Sequence, residues 1–267
     1  MKITLIGTGN VAYHLGLRFR EQDVFLNQIV GKDADKTRAF SMFFQTDATT
    51  DFSKIKTDSD IYIIAVNDSA IGEVAQKLSQ TLDNQLVVHT SGSISSAVLS
   101  PYFKNYGSLY PLQTFSVRSP VDFEKVPIFI NVTSSLNNQD FDKSQQYLHD
   151  SLEKIALALS PIIHFLPDEK RVALHVAAVF VNNFTNHLFQ IGKVITDKNN
   201  LPFDVLKPLI EQTVLKIQNQ EPKAVQTGPA IRGDVNTMEK HHAFLKDYPP
   251  QYLGLYELFS ESIVTKQ

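Results

Sequence analysis

Met1-Lys-Ile-Thr-Leu-Ile-Gly-Thr-Gly-Asn-Val-Ala-Tyr-His-Leu-Gly16 opens the chain with a strand, a tight turn and the start of a helix. The apolar run Ile3 to Ile6 meets Gly7-Thr8-Gly9-Asn10-Val11-Ala12, and a helix-compatible stretch follows. This order is the setting of a G-x-G-x-x-A loop that receives a dinucleotide. Gly7 permits the turn, Gly9 lets a pyrophosphate reach the backbone, and Ala12 lets the helix pack on the strand. Free N–H groups and the dipole at the helix start hold phosphate, so Gly7, Thr8, Gly9, Asn10 and Val11 form the expected cofactor loop.

Composition narrows the alternatives. A chain of 267 residues makes one large domain or two ordinary ones, and 43% hydrophobic with 20% charged residues describes a globular protein. A net charge of -3 without a Lys/Arg cluster argues against nucleic acid and anionic membranes as partners. Cysteine is absent, which excludes disulfides, thiolate catalysis and cysteine-bound metal and suits a reducing cytoplasm. The opening apolar run is too short for a secretory leader. No run of eighteen apolar residues offers a membrane span; the best candidate, Val172 to Val181, is short and broken by His175.

Further strands follow at regular spacing. Leu26 to Gly31 is expected as the second, and its tip meets the adenosine ribose in this architecture. The tip reads Val30-Gly31-Lys32, without a carboxylate on the strand. Lys32 suits the 2′-phosphate of NADP, with Gly31 leaving room, whereas a turn of the loop would present Asp33 to the 2′-hydroxyl of NAD. Asp60 to Asp68 reads as a buried strand whose end, Ala65, Val66 and Asn67, borders the cofactor crevice. Leu86 to Gly92, Gly107 to Phe115, Val126 to Val132 and Ile162 to Leu166 complete an α/β, Rossmann-type doubly wound, mostly parallel sheet over residues 1–166.

Strand patterns stop at Pro167. A helix from there to about Thr196 would be roughly 45 Å long, and its middle, Ala173 to Phe189, is apolar almost all round. Such a helix needs cover on several sides, which a second subunit supplies. Residues 167–267 are therefore expected as an all-α domain for dimerisation and substrate, with further helices over Leu201–Gln218, Thr237–Tyr248 and Gln251–Val264.

Four constellations carry candidate chemistry. On the long helix, His175, Asn182 and Asn186 fall within ~40° of one another at 100° per residue. At a strand end, His89 with Ser91 offers a proton donor and a hydroxyl, or else Ser91 caps the next turn. Gln113 supplies a neutral donor after another strand. Arg232, in Thr227-Gly-Pro-Ala-Ile-Arg-Gly-Asp234, forks onto a substrate carboxylate or onto Asp234, and Asn236 with Glu239 suits a capping box. No metal site is expected, because His241 and His242 are adjacent and no H-E-x-x-H pattern occurs.

The chain resembles, along nearly its whole length, bacterial Rossmann-like NADP oxidoreductases whose helical C-terminal half is a domain of unknown function. The resemblance is carried by Gly7–Ala12, His89-Thr-Ser-Gly92, Tyr110-Pro-Leu-Gln-Thr-Phe115, His175-Val-Ala-Ala-Val-Phe-Val-Asn-Asn183 and Thr227-Gly-Pro-Ala-Ile-Arg-Gly-Asp-Val-Asn-Thr237. The first domain is similar to that of deazaflavin-dependent NADP reductases. More distantly, the whole resembles pyrroline-5-carboxylate reductase and the β-hydroxyacid dehydrogenases, which pair a nucleotide domain with a dimerising helical one. The dehydrogenases have Lys-x-x-Asn-Asn on the long helix. Here Asn182-Asn183 is present and Val179 stands at the lysine position, so that mechanism does not transfer.

These readings combine into a cytoplasmic homodimer that uses NADP(H), in preference to NAD or a deazaflavin, to reduce a small carbonyl or imine. His175 donates the proton, His89 and Ser91 flank it, and Gln113, Asn182, Asn186 and Arg232 orient the substrate. The rival is an NADP(H)-binding sensor or scaffold without turnover.

Overall fold

A computed structural model describes residues 1–134 and 141–265, at 141–144 by backbone alone. The chain forms two compact units, Met1–Val181 and Asn182–Gln267. The expected boundary at 166 therefore moves past the first half of the long helix.

The first unit alternates β1 (Lys2–Ile6), α1 (Asn10–Glu21), β2 (Phe25–Val30), α2 (Ala34–Phe44), β3 (Asp47–Thr49), β4 (Ile61–Ile64), α3 (Ile71–Leu78), β5 (Leu86–His89) and β6 (Asn105–Pro111). It continues with β7 (Ile128–Ser134), α4 (Phe141–Leu159), β8 (Ile163–Phe165) and α5 (Asp168–Ala178). Among the described residues the eight strands make one sheet in the order β3-β2-β1-β4-β5-β6-β7-β8. The first six have the order 3-2-1-4-5-6 of a doubly wound dinucleotide fold.

Alternation along each strand builds two cores. Ile3, Leu5, Ile61 and Ile63 face α1 and α4, while Ile6, Tyr62 and Ile64 pack with Ile71, Ala75 and Leu78 of α3. A sheet covered on both faces explains the continuous apolar strands. One direction differs from the expected parallel pattern: β7 runs antiparallel to β6 in a seven-residue ladder. The connection, residues 112–127, holds one short turn, Phe123–Lys125, and not the helix that usually carries a chain across the sheet for parallel pairing.

The long helix is not α-helical throughout. Val179–Phe184 forms π-helical turns between α5 and α6 (Thr185–Lys198). The second unit continues with α7 (Lys207–Asn219), the single turn α8 (Pro229–Arg232), α9 (Val235–Leu245) and α10 (Pro250–Val264). Asp234, not the expected Asn236–Glu239 box, caps α9 by accepting from the Thr237 N–H at 3.1 Å. Among the described residues no helix is long and apolar enough to cross a membrane.

Candidate functional site

A crevice of about 490 Å³ opens at the carboxyl ends of β1, β2 and β4. Gly7 turns there with φ +127°, and a Cβ would come within 2.2 Å of the Ala65 carbonyl oxygen. Only glycine fits. At Gly9 a Cβ would meet nothing within 4 Å. The protein's own packing does not require that glycine, whereas a pyrophosphate approaching the backbone does. Gly9 is also the N-cap of α1 and supplies no side-chain acceptor, so the first-turn N–H groups suit an anion.

At the tip of β2, Lys32 and Lys36 both line the crevice. The Asp33 side chain accepts from the Lys36 N–H at 3.0 Å and caps α2. Asp33 lines the crevice as well, with Oδ1 engaged in that cap. Gly31 has a different reason from the one expected: a Cβ would lie 2.2 Å from Thr37 Oγ1 and 2.9 Å from Thr8 Cγ2. Close packing of the β2 tip, not space for phosphate, demands it. Of the expected cofactor residues, Gly7, Thr8, Gly9, Lys32, Ala65, Val66 and Asn67 line this crevice together. Asn10 and Val11 do not: Asn10 donates to the Phe115 carbonyl at 3.0 Å, and Val11 packs against the sheet core. Open space at Gly9 and two lysines at the β2 tip fit a dinucleotide with an added phosphate.

Next to the crevice, the ends of β5 and β6 meet α5. Asp68, just past β4, accepts a hydrogen bond from Ser93 and joins the two regions. His89 is fully buried, and its Nδ1 accepts from the Ser91 N–H at 3.2 Å. Burial, reinforced by the charge of Arg171, lowers its pKa to about 4. The Ser95 backbone favours the charged ring, but among the described residues no group reaches Nε2 in hydrogen-bond geometry. A ring that stays neutral and sealed at pH 7 is a strut rather than the expected acid. Ser91 has likewise spent its hydroxyl, whose oxygen accepts from the Ile94 N–H at 3.0 Å and the Ser93 N–H at 3.2 Å.

The strut is held by two residues the sequence did not single out for this site. Arg171 is wholly buried and donates to the carbonyls of Ser91 at 2.5 Å and Ile94 at 2.6 Å, and to Asp168 Oδ1 at 2.8 Å. Asp168 Oδ2 accepts from the Ser95 hydroxyl at 2.6 Å and the Ser96 N–H at 2.5 Å. Burial would raise the Asp168 pKa, but the Ser95 bond, Arg171 and Ser96 together hold it below the usual value. A signal was available: a cation in the first turn of a helix opposes the dipole and needs a partner, and an aspartate stands three residues before it.

His175 lies on the same helix, half-buried, with Nδ1 3.0 Å from the Tyr110 hydroxyl. Gln113 is exposed, accepts from the Thr114 N–H at 2.8 Å, and lines a separate cleft of about 340 Å³ with Ser116 and Lys125. Asn182, Asn186 and Arg232 belong to the second unit and are exposed. The α-helical count that aligned His175 with Asn182 and Asn186 does not run through the π-helical turns, whose bonds reach one residue further. Arg232 has not captured Asp234, whose carboxylate is bonded to Thr237.

Residues 2–92 match a family described as NADP oxidoreductase, coenzyme F420-dependent, and residues 142–263 match a domain of unknown function, DUF2520. No curated protein matches. A solved Bacteroides fragilis structure, provisionally named an NADP oxidoreductase, is 36% identical over 99% of this chain and 98% of its own, with a TM-score of 0.88. An imine reductase from Myxococcus stipitatus in complex with NADP+ is 13% identical over 98% of this chain and 93% of its own, with a TM-score of 0.68. A pyrroline-5-carboxylate reductase from Coxiella burnetii is 18% identical over 99% of this chain and 98% of its own, with a TM-score of 0.55. These last two share the fold alone. The chain belongs to the family of the Bacteroides fragilis protein, in which an NADP oxidoreductase domain of Rossmann type precedes a DUF2520 domain.

Proposed function

We propose that this chain is an NADP(H)-dependent oxidoreductase, working as a homodimer in the cytoplasm, that reduces a small carbonyl or imine with His175 as proton donor. The observation that carries it is the charge at the β2 tip. Lys32 and Lys36 line the crevice while Asp33 is engaged as a helix cap, a disposition suited to a 2′-phosphate. The name of the family's first domain and the NADP+ complex of the imine reductase support the same cofactor. Bound there, the cofactor supplies a hydride. The glycine loop and the start of α1 hold its pyrophosphate, and Lys32 meets the 2′-phosphate. His175 gives the substrate its proton, since His89 is neutral and sealed.

Binding is read by thermal shift with NADPH, NADP, NADH and NAD. Ligand at ~100 times its Kd stabilises by about 2.7 kcal/mol, and the two phosphorylated forms should shift the melting temperature most. No shift with any of the four would overturn the reading. Lys32→Asp is expected to cost the NADPH preference more than about tenfold, roughly 1.4 kcal/mol. Turnover is read as NADPH oxidation across a panel of carbonyls and imines, and His175→Ala should slow single-turnover reduction by about a hundredfold or more. A wild-type rate in that variant would remove the role of His175. Val179, standing where the dehydrogenases have lysine, favours a second reading, a sensor. Such a protein binds NADPH and consumes none across the panel.

A further inference from the structure

Tyr110 has no part in the roles given above, yet it is the residue that touches His175. It is buried, and its hydroxyl lies 3.0 Å from Nδ1, with the two rings edge to face and centroids 5.9 Å apart. Among the described residues nothing else bonds that hydroxyl, and no hydrogen bond engages Nε2 of His175. The rings meet over Gly92. A Cβ there would come within 2.5 Å of Nδ1 and 2.7 Å of Tyr110 Cζ. Gly92 has no positive φ, so it is this contact, not the backbone, that demands glycine. The loop after β5, the end of β6 and the last turn of α5 thus converge on one hydrogen bond.

Its polarity follows from the chemistry of the partners. Burial pushes the Tyr110 phenol up, against the pull of Arg171, and it keeps its proton. A neutral imidazole has one acceptor nitrogen and one donor. The phenol oxygen accepts as well as donates, so a ring that exchanges its proton at Nε2 keeps Nδ1–H donating to Tyr110 and leaves Nε2 bare in the neutral form.

We propose that Tyr110 is a positioning residue for His175: held against Nδ1 across Gly92, it fixes the tautomer and orientation of the ring so that Nε2 is the nitrogen that exchanges a proton with substrate. Nδ1–H donates to the phenol oxygen in the neutral and the charged ring alike; Nε2 takes a proton from solvent and gives it to the substrate nitrogen or oxygen as the hydride reaches carbon. The proposal rests on the reading of His175 as proton donor, but its first claim is read without a substrate.

The test is nitrogen NMR of histidine-labelled protein, with the His175 signals assigned by their loss in His175→Ala. With its ring neutral, wild-type His175 should show one tautomer, with Nδ1 protonated and Nε2 bare. In Tyr110→Phe the two nitrogen signals should move toward each other as the second tautomer enters. Gly92→Ala, which keeps the hydroxyl and forces the rings apart, should do the same and stands in if Tyr110→Phe does not fold. Averaged signals in the wild type, or unmoved signals in both variants, would overturn the proposal. With a substrate in hand, Tyr110→Phe should lower kcat about tenfold or more, leave KM within about twofold and displace the pH profile of kcat. A fully active His175→Ala beside shifted nitrogen signals would remove the proton-donor reading and leave the tautomer claim. An inactive His175→Ala beside unmoved signals would do the reverse.

Discussion

At His89, a strand end next to the crevice and a titratable ring suggested an acid, and burial gives a neutral strut instead. The consequence is measurable as stability. The folded pKa is about 4, against roughly 6.5 in an unfolded chain. Between these values the unfolded state binds more protons, so stability falls as pH drops from about 6.5 to about 4 and levels off below. The size is of order 3 kcal/mol at about 1.4 kcal/mol per unit. Urea unfolding at pH 7 and pH 4.5 should show the loss in wild type, and His89→Gln should flatten it. Asp168 does not confuse the window, because its carboxyl titrates below the usual carboxylate range. An equal slope in both proteins would mean that the ring titrates normally. At this scale the glycine loop was legible because its chemistry lies in consecutive residues. The Tyr110–His175 pair and the Arg171–Ser91 bond were not, being contacts across 65 and 80 residues.

Among the elements, α5 carries most of the correction to the sequence reading. Pro167, Asp168 and Glu169 correctly marked a helix start, as each suits the first turn. The same residues were taken as the beginning of a separate domain, yet Asp168 and Arg171 tie α5 to the turn after β5. That tie is a buried ion pair, and removing one partner leaves the other charge uncompensated. Asp168→Asn should therefore cost about 3–5 kcal/mol, read as a fall in the denaturation midpoint. Replacing both partners by apolar residues of similar size should cost less than Asp168→Asn alone. If the single variant unfolds at the wild-type midpoint, the pair does not organise the loop. Most strands and helices were legible because periodicity is local. The direction of β7 and the π-helical turns at Val179–Phe184 were not, since pairing partners and a one-residue widening leave no mark in hydrophobic spacing.

Across the whole molecule the two units differ in how far each is completed by its own residues. The first has two cores of buried aliphatic and aromatic side chains. In the second, buried hydrophobics among the described residues come down to Ala230, Leu245 and Tyr248. Leu209, Val205 and Leu258 are 65%, 61% and 61% exposed, and an apolar groove of about 310 Å³ lined by Leu188, Ile191 and Phe259 opens on the same unit. A sequence alone shows that such residues are apolar; it does not show that the chain leaves them uncovered. Exposed apolar side chains beside such a groove call for cover, and a second copy of the chain offers the same apolar surface in return. The expected solution species is a dimer of two 30.0 kDa chains, read by sedimentation equilibrium. Burying each leucine contributes about 1.5–3 kcal/mol, so Leu209→Glu with Leu258→Glu should weaken association by about a hundredfold or more. A wild type that sediments as a monomer at micromolar concentration would sink the dimer, and the exposed leucines of the second unit would then need another partner.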